Sequence, residues 1–164
     1  MYSFETVDLR DLVDDTVSEL EALAQQKSQR INHQVSSQPI SVRVDAARIA
    51  QVLRNLLGNA IKFAPEGSEI RLEAVGDANG AVTVSVSDEG PGIPEEQLES
   101  IFDKFIQSTI TKTGAGGSGL GLAICQEIVV GHGGAIRARN NAHSGVTVSF
   151  TLNGSPPQAT LHAR

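Results

Sequence analysis

Apolar residues at Leu9, Leu12, Val13, Val17, Leu20, Leu23 and Ala24 fall on one helical face, predicting a helix over residues 9 to about 27 behind a short strand-like opening at 2–7. Stretches 31–36 and 40–44 read as two short strands forming a hairpin across Ser37-Gln38-Pro39. Asp45 is a good N-cap for a second helix that runs to about Ala64, where Pro65 and Gly67 stop it. Alternating apolar and polar residues over 70–75 and 82–86, joined by Asp77-Ala78-Asn79-Gly80, predict a second hairpin. A short helix over 95–102, a glycine-rich stretch, a third main helix over about 119–130 and two last strands at 135–139 and 146–152 complete the pattern. These elements give an α/β sandwich of two layers, with a mostly antiparallel sheet carrying helices on one face. The pattern gives one domain over 9–153, behind the strand-like opening, and an unpacked tail over 154–164.

Composition narrows the function classes. With 164 residues, 40% of them hydrophobic, the chain supports one domain with a real core. Its 13 basic and 19 acidic residues leave a formal charge of −6, which argues against a nucleic-acid partner. No apolar run approaches the ~20 residues of a membrane span, so no membrane contact is expected of this segment. The single cysteine, Cys125, excludes an internal disulfide and reads as a small core residue of a protein in a reducing compartment.

The second helix carries the sharpest chemistry. At about 100° per residue, Arg48, Gln51, Asn55, Asn59 and Lys62 form one narrow stripe, while Ala46, Ile49, Ala50, Leu53, Leu57 and Ala60 lie broadly opposite. Asparagine is a poor helix former, so two of them four apart in a helix interior need a reason. One is a hard metal and phosphates: an amide oxygen suits Mg²⁺, and the Lys62 ammonium neutralises phosphate oxygens one turn on. The other is two buried amides bonded to neighbouring backbone, and the helix pattern alone does not choose.

Two glycine clusters flank one segment. Asp88, at the end of a strand and followed by Gly90 and Gly92, could accept from the exocyclic amine of a purine while the glycines let the chain pass close beneath a flat ring. An acidic turn with glycine is also a common strand exit. Further on, Ser118, Gly119, Leu120 and Gly121 offer amides at a helix N-terminus, where the macrodipole favours an anion. Neither cluster has the ending of a P-loop or the spacing of a dinucleotide-binding βαβ unit.

Taken in order, these motifs resemble the ATP-binding catalytic domain of sensor histidine kinases, within the GHKL superfamily. Asn55-Leu56-Leu57-Gly58-Asn59-Ala60-Ile61-Lys62-Phe63 resembles the N box and Asp88-Glu89-Gly90-Pro91-Gly92-Ile93 the first glycine box. Ile101-Phe102-Asp103-Lys104-Phe105 resembles the F box, Gly117-Ser118-Gly119-Leu120-Gly121-Leu122 the second glycine box, and Gly145-Val146-Thr147 the last strand motif. The resemblance implies the Bergerat fold, a mixed five-stranded sheet backed by three helices, with ATP between the second helix and a lid over about 94–118.

It also implies roles. Asn59 would coordinate Mg²⁺, Asn55 would support its hydration shell and the phosphates, and Lys62 would contact phosphate oxygens. Phe63 and Ile93 would line the adenine pocket, and Asp88 would accept from the adenine amine with Thr147 assisting. Gly90, Gly92, Gly117, Gly119 and Gly121 would give backbone room, while Ser118 through Leu122, with Leu120 among them, donate to phosphates. Phe105 would anchor the lid and Lys112 reach phosphate when it closes, although Phe102 and Phe105 also suit core anchors and Lys112 a solvated lysine.

Asn55 separates the reactions open to this fold. Relatives that hydrolyse ATP carry glutamate there as a base, and an amide cannot take a proton from water at neutral pH. The resemblance then implies transfer of the γ-phosphate to a histidine on a separate dimerisation domain, and onward signalling to a response regulator. None of His33, His132, His143 and His162 lies in that family's acceptor context, so the acceptor is expected off this chain, and the resemblance implies that residues 1–8 are a linker remnant from the dimerisation domain. The implied location is cytoplasmic, whether or not the parent protein is anchored in the inner membrane. A regulatory or anti-sigma-type serine kinase module and a true ATPase are the other readings of the same fold.

Overall fold

The structure is a computed structural model and describes residues 1–103 and 121–153. Strand β1 (Glu5–Asp8) runs directly into helix α1 (Leu9–Gln25), because Asp8 accepts from the Arg10 amide at 3.1 Å and caps the helix. Strands β2 (Arg30–Val35) and β3 (Ser41–Val44) precede helix α2 (Ala46–Phe63), whose N-cap Asp45 accepts from the Arg48 amide at 3.2 Å. Strands β4 (Glu69–Gly76) and β5 (Ala81–Ser87) follow, then helix α3 (Gly121–Gly131) and strands β6 (Ile136–Asn140) and β7 (Val146–Asn153).

Five strands form one sheet in the order β2-β4-β5-β7-β6, antiparallel except for the β2–β4 pair. The core lies between this sheet and the helices. Val82, Val84 and Val86 of β5 stand opposite Leu152, Phe150 and Val148 of β7 on the covered face, with Ile49, Val52, Leu53 and Leu57 of α2 packed in the same apolar cluster. Serine and threonine occupy the alternate positions of both strands, so the other face is polar: Ser85 bonds Ser149 at 2.9 Å and Ser87 bonds Thr147 at 2.7 Å. The sandwich, the mostly antiparallel sheet and the three helices are as expected. Among the described residues no helix is long and apolar enough to cross a membrane.

The β4–β5 hairpin forms as its turn residues predict. Asp77 accepts from the amides of Asn79 at 2.8 Å and Ala81 at 3.0 Å, and Gly80 takes φ +89°.

The hairpin expected of residues 31–44 does not form. β3 pairs antiparallel with β1 in a separate two-stranded sheet, and β2 pairs parallel with β4 at the edge of the main one. Burial decides this: with Val42 opposite Val7 on β1, Val42 and Val44 are 0% and 1% exposed, a depth that edge strand β2, with no fully buried residue, could not supply. Two bonds at the β1–α1 junction fix the arrangement, Leu9 N–H to the Ile40 carbonyl at 2.8 Å and Ile40 N–H to Asp8 Oδ1 at 3.1 Å. The short helix expected over 95–102 is instead two single 3-10 turns, Glu95–Gln97 and Ser100–Phe102, since one turn gains too few bonds to propagate and burial of the neighbours Ile101 and Phe102 sets the backbone.

Candidate functional site

Two elements bring the polar groups of the site together: the amide stripe of α2 and the loop that leaves β5. Between them lies a cavity lined by Leu56, Asn59 and Phe63 of α2, by Asp88, Pro91, Gly92 and Ile93 of the loop, and by Ile101, Leu122, Val146 and Val148. At about 80 Å³ it is far smaller than the few hundred Å³ of a site that encloses a whole ligand, so it takes one apolar end of one.

Asp88 is the ionisable side chain in that lining. It is 8% exposed, and burial pushes its carboxyl above the usual 3.8, partly offset by the Gly90 amide it accepts at 2.8 Å. That bond uses Oδ1, the Val146 backbone also favours the charged form, and the carboxylate is the acceptor this cavity offers to a ligand N–H. The loop passes close to α2, where a Cβ on Gly90 would lie 2.8 Å from the Phe63 carbonyl oxygen. Gly92 turns at φ +79°.

On α2, Asn55 and Asn59 are half-buried and Lys62 is exposed. The Asn55 Nδ2 donates to the Gly121 carbonyl at 3.5 Å and to Cys125 Sγ at 3.6 Å, so the first turn of α3 orients this amide and leaves its oxygen to face elsewhere. Burial pushes the Cys125 thiol up to about 11, with the Asn55 bond working against it, so the sulfur acts as a neutral acceptor. The Lys62 ammonium lies 5.7 Å from the centroid of the Phe63 ring. The carboxyl end of α2 is closed by two side chains that the sequence pattern did not single out. Lys27 Nζ donates to the carbonyls of Ile61, Lys62 and Ala64 at 2.8, 3.0 and 3.0 Å, and buried Gln29 donates to those of Ile61 and Ala64 at 3.1 and 3.0 Å.

Of the residues expected at the site, Asn59, Phe63, Asp88, Gly92, Ile93 and Leu122 meet at the cavity, with Gly90 beside it and Gly121 against Asn55. Thr147 does not join them. Strand alternation turns its side chain to the opposite face, where the hydroxyl donates to Asn141 Oδ1 at 2.6 Å and shares a hydrogen bond with Ser87, and the residue that faces the cavity is Val146. The apolar run Val146, Val148, Phe150, Leu152 carried that signal. Phe105, Lys112, Gly117, Ser118, Gly119 and Leu120 lie outside the described residues.

Among the described residues no cluster of three or more histidine, cysteine or acidic side chains could hold a metal ion. A cation held here would therefore take its ligands from an amide such as that of Asn59, from water and from the bound ligand, which is the habit of Mg²⁺ beside phosphates.

A family model described as histidine kinase-, DNA gyrase B-, and HSP90-like ATPase matches residues 44–156. The adaptive-response sensory kinase SasA of Synechococcus sp. (strain CC9311) is 35% identical over 152 residues, which are 93% of this chain and 40% of that protein. The sensor histidine kinase WalK of Bacillus subtilis (strain 168) is 42% identical over 113 residues, 68% of this chain and 18% of that one. The chain thus spans less than half the length of these relatives. Among solved structures, the catalytic domain of histidine kinase ThkA superposes with a TM-score of 0.83 at 32% identity, covering 94% of this chain and 99% of that one. ThkA in complex with the response regulator TrrA superposes with a TM-score of 0.79 at 30% identity, covering 93% and 42%.

Proposed function

This chain belongs to the histidine kinase-, DNA gyrase B-, and HSP90-like ATPase family, and we propose that it is the catalytic ATP-binding domain of a sensor histidine kinase in two-component signal transduction. It holds ATP with Mg²⁺ and donates the γ-phosphate to a histidine on a separate dimerisation domain, from which a response regulator is phosphorylated. Residues 1–8 would lead from that domain into α1, with residues 5–8 taken up as strand β1, and the reaction would be cytoplasmic.

The observation that carries the reading is the pairing of an amide stripe with a buried carboxylate across one cavity. Asp88 selects adenine by accepting from its exocyclic amine, and the apolar lining from Phe63, Ile93 and Val146 takes the ring faces. Asn59 and the phosphates hold Mg²⁺, which supplies charge neutralisation on the transferring group, and Lys62 adds a cation at the rim. Phosphoryl transfer needs little else from a protein than such positioning and electrostatics. Asn55 presents an amide where hydrolytic relatives place a base, and its nitrogen is committed to α3, so its free oxygen can accept from a water of the cation's hydration shell but is too weak a base to deprotonate it.

The test is nucleotide binding by this chain, followed by addition of a histidine-bearing dimerisation domain in trans. Mg²⁺-dependent ATP binding, slow turnover alone and phosphohistidine formation on the added domain are the expected results. Turnover by the chain alone at the rate of a dedicated ATPase would defeat the proposal.

A further inference from the structure

Two consecutive asparagines at the end of β6 hold both ends of the loop that carries Asp88. Asn140 exchanges two hydrogen bonds with the backbone of Ile93: its Oδ1 accepts from the Ile93 amide at 2.9 Å, and its Nδ2 donates to the Ile93 carbonyl at 2.7 Å. The pairing copies one rung of a β-ladder and fixes the orientation of the amide, since a flipped side chain would set donor against donor and acceptor against acceptor. Gly92 makes room for it, because a Cβ there would stand 2.8 Å from Asn140 Oδ1.

Asn141 grips the other end from the opposite face of the sheet. Its Nδ2 donates to the Asp88 carbonyl at 3.0 Å, to Ser87 Oγ at 3.1 Å and to the Ser144 carbonyl at 3.2 Å, while its Oδ1 accepts from Thr147. Residues 88 and 93 both line the cavity, so the place of the base-recognising carboxylate is set from the far edge of the sheet and not by the cavity wall alone.

We infer that Asn140 is a positioning residue for recognition of the adenine base, acting through Ile93 and Gly92 to hold Asp88 where it meets the exocyclic amine, with Asn141 as its counterpart on the outer face. The inference rests on the adenine-binding role given to Asp88 above. Asn140 lies on neither of the glycine clusters nor on the amide stripe, and it meets the cavity lining at the loop it holds and, through the strand ladder, at Val146.

The experiment measures ATP affinity with Mg²⁺ for the parent chain, Asn140→Ala, Asp88→Asn and the double variant, beside a thermal melt of each. Asn140→Ala is expected to bind ATP about tenfold more weakly, and adding it to Asp88→Asn to change affinity by less than twofold, since the residue acts only through the carboxylate already replaced. A merely structural role would give two losses that multiply, and that outcome overturns the inference, as does an Asn140→Ala affinity within twofold of the parent. Should the alanine variant not fold, Asn140→Asp keeps the oxygen toward the Ile93 amide, loses the donor toward its carbonyl, and is read against the same limits. A parent chain that binds no ATP, or an Asp88→Asn variant that binds it as the parent does, would instead sink the proposed function and this inference with it.

Discussion

Gly145 and the carbonyl of Asp88 approach so closely that a Cβ on Gly145 would clash with the carbonyl oxygen and lie 2.6 Å from its carbon. The same glycine takes φ +87°, a region that L side chains rarely adopt. Gly145→Ala therefore combines overpacking with backbone strain and should cost about 3 kcal/mol or more, lowering Tm by roughly 6–12 °C in a domain of this size. A thermal melt reads this directly, and a variant as stable as the parent would mean that the 88–93 loop has room to move.

Asp88 should show opposite signs in stability and in binding. Its folded carboxyl lies above the usual 3.8, so the folded state binds a proton before the unfolded state does. Stability of the nucleotide-free chain from this group then rises as pH falls through the folded value, down to about 3.8. ATP affinity falls over the same interval, because the protonated group is a poorer acceptor. Asp8 works the other way, held at about 2 by the Arg10 guanidinium, and its contribution is lost only between 3.8 and about 2. At neutral pH Asp88→Asn should leave Tm unchanged or slightly higher and weaken ATP by about 1–3 kcal/mol. Calorimetric titration across pH, with melts of the same samples, checks both signs.

Asn59→Ala separates ligand binding from packing on α2. Alanine is the better helix former, so the nucleotide-free melt should be unchanged or raised by a few tenths of a kcal/mol. Mg²⁺-dependent affinity and phosphoryl transfer should collapse. Normal Mg²⁺-dependent binding would remove Asn59 from the metal site, and a marked drop in Tm without nucleotide would make it a structural amide.

Lys27 and Gln29 stabilise the end of α2 that carries Lys62 and Phe63. Gln29→Ala removes the buried donor to the carbonyls of Ile61 and Ala64, which Lys27 still reaches, and should cost about 0.5–1.5 kcal/mol. Lys27→Met keeps the apolar stem and removes the cation from the helix terminus, for a loss of roughly 0.5–1 kcal/mol that shrinks with added salt. Urea unfolding at two ionic strengths distinguishes the two.

Local signals in the sequence were reliable where one residue decides one element. Asp45 caps α2, Asp77 and Gly80 make the β4–β5 turn, and the Asn55–Asn59 spacing puts both amides on one half-buried stripe. Long-range competition was not legible. Residues 40–44 suit a hairpin with 31–36 as well as they suit β1, and only the depth of burial available to Val42 and Val44 separates the two. The family resemblance pointed to Thr147, yet two-residue alternation with the buried Phe150 and Leu152 already placed it on the polar face. Asn140 and Asn141 carry no motif, and Lys27 and Gln29 meet α2 only after the chain has folded.

The crossed pairing of the first four strands bears on how the chain acquires its structure. β1 waits for β3 and β2 waits for β4, so each partnership spans one strand of the other and neither can close through a tight turn. The only adjacent strands in sequence that pair through a short turn in that half are β4 and β5. Loop-closure entropy therefore favours a nucleus at the β4–β5 hairpin, with β7 added to it, and leaves the amino-terminal third to assemble late and cooperatively. The carboxylate at the end of β5 is set in place by the early half, and the amide stripe of α2, held at its far end by Lys27 and Gln29, reaches it only when the late half docks. A site divided in this way is expected to become competent only once both halves have assembled.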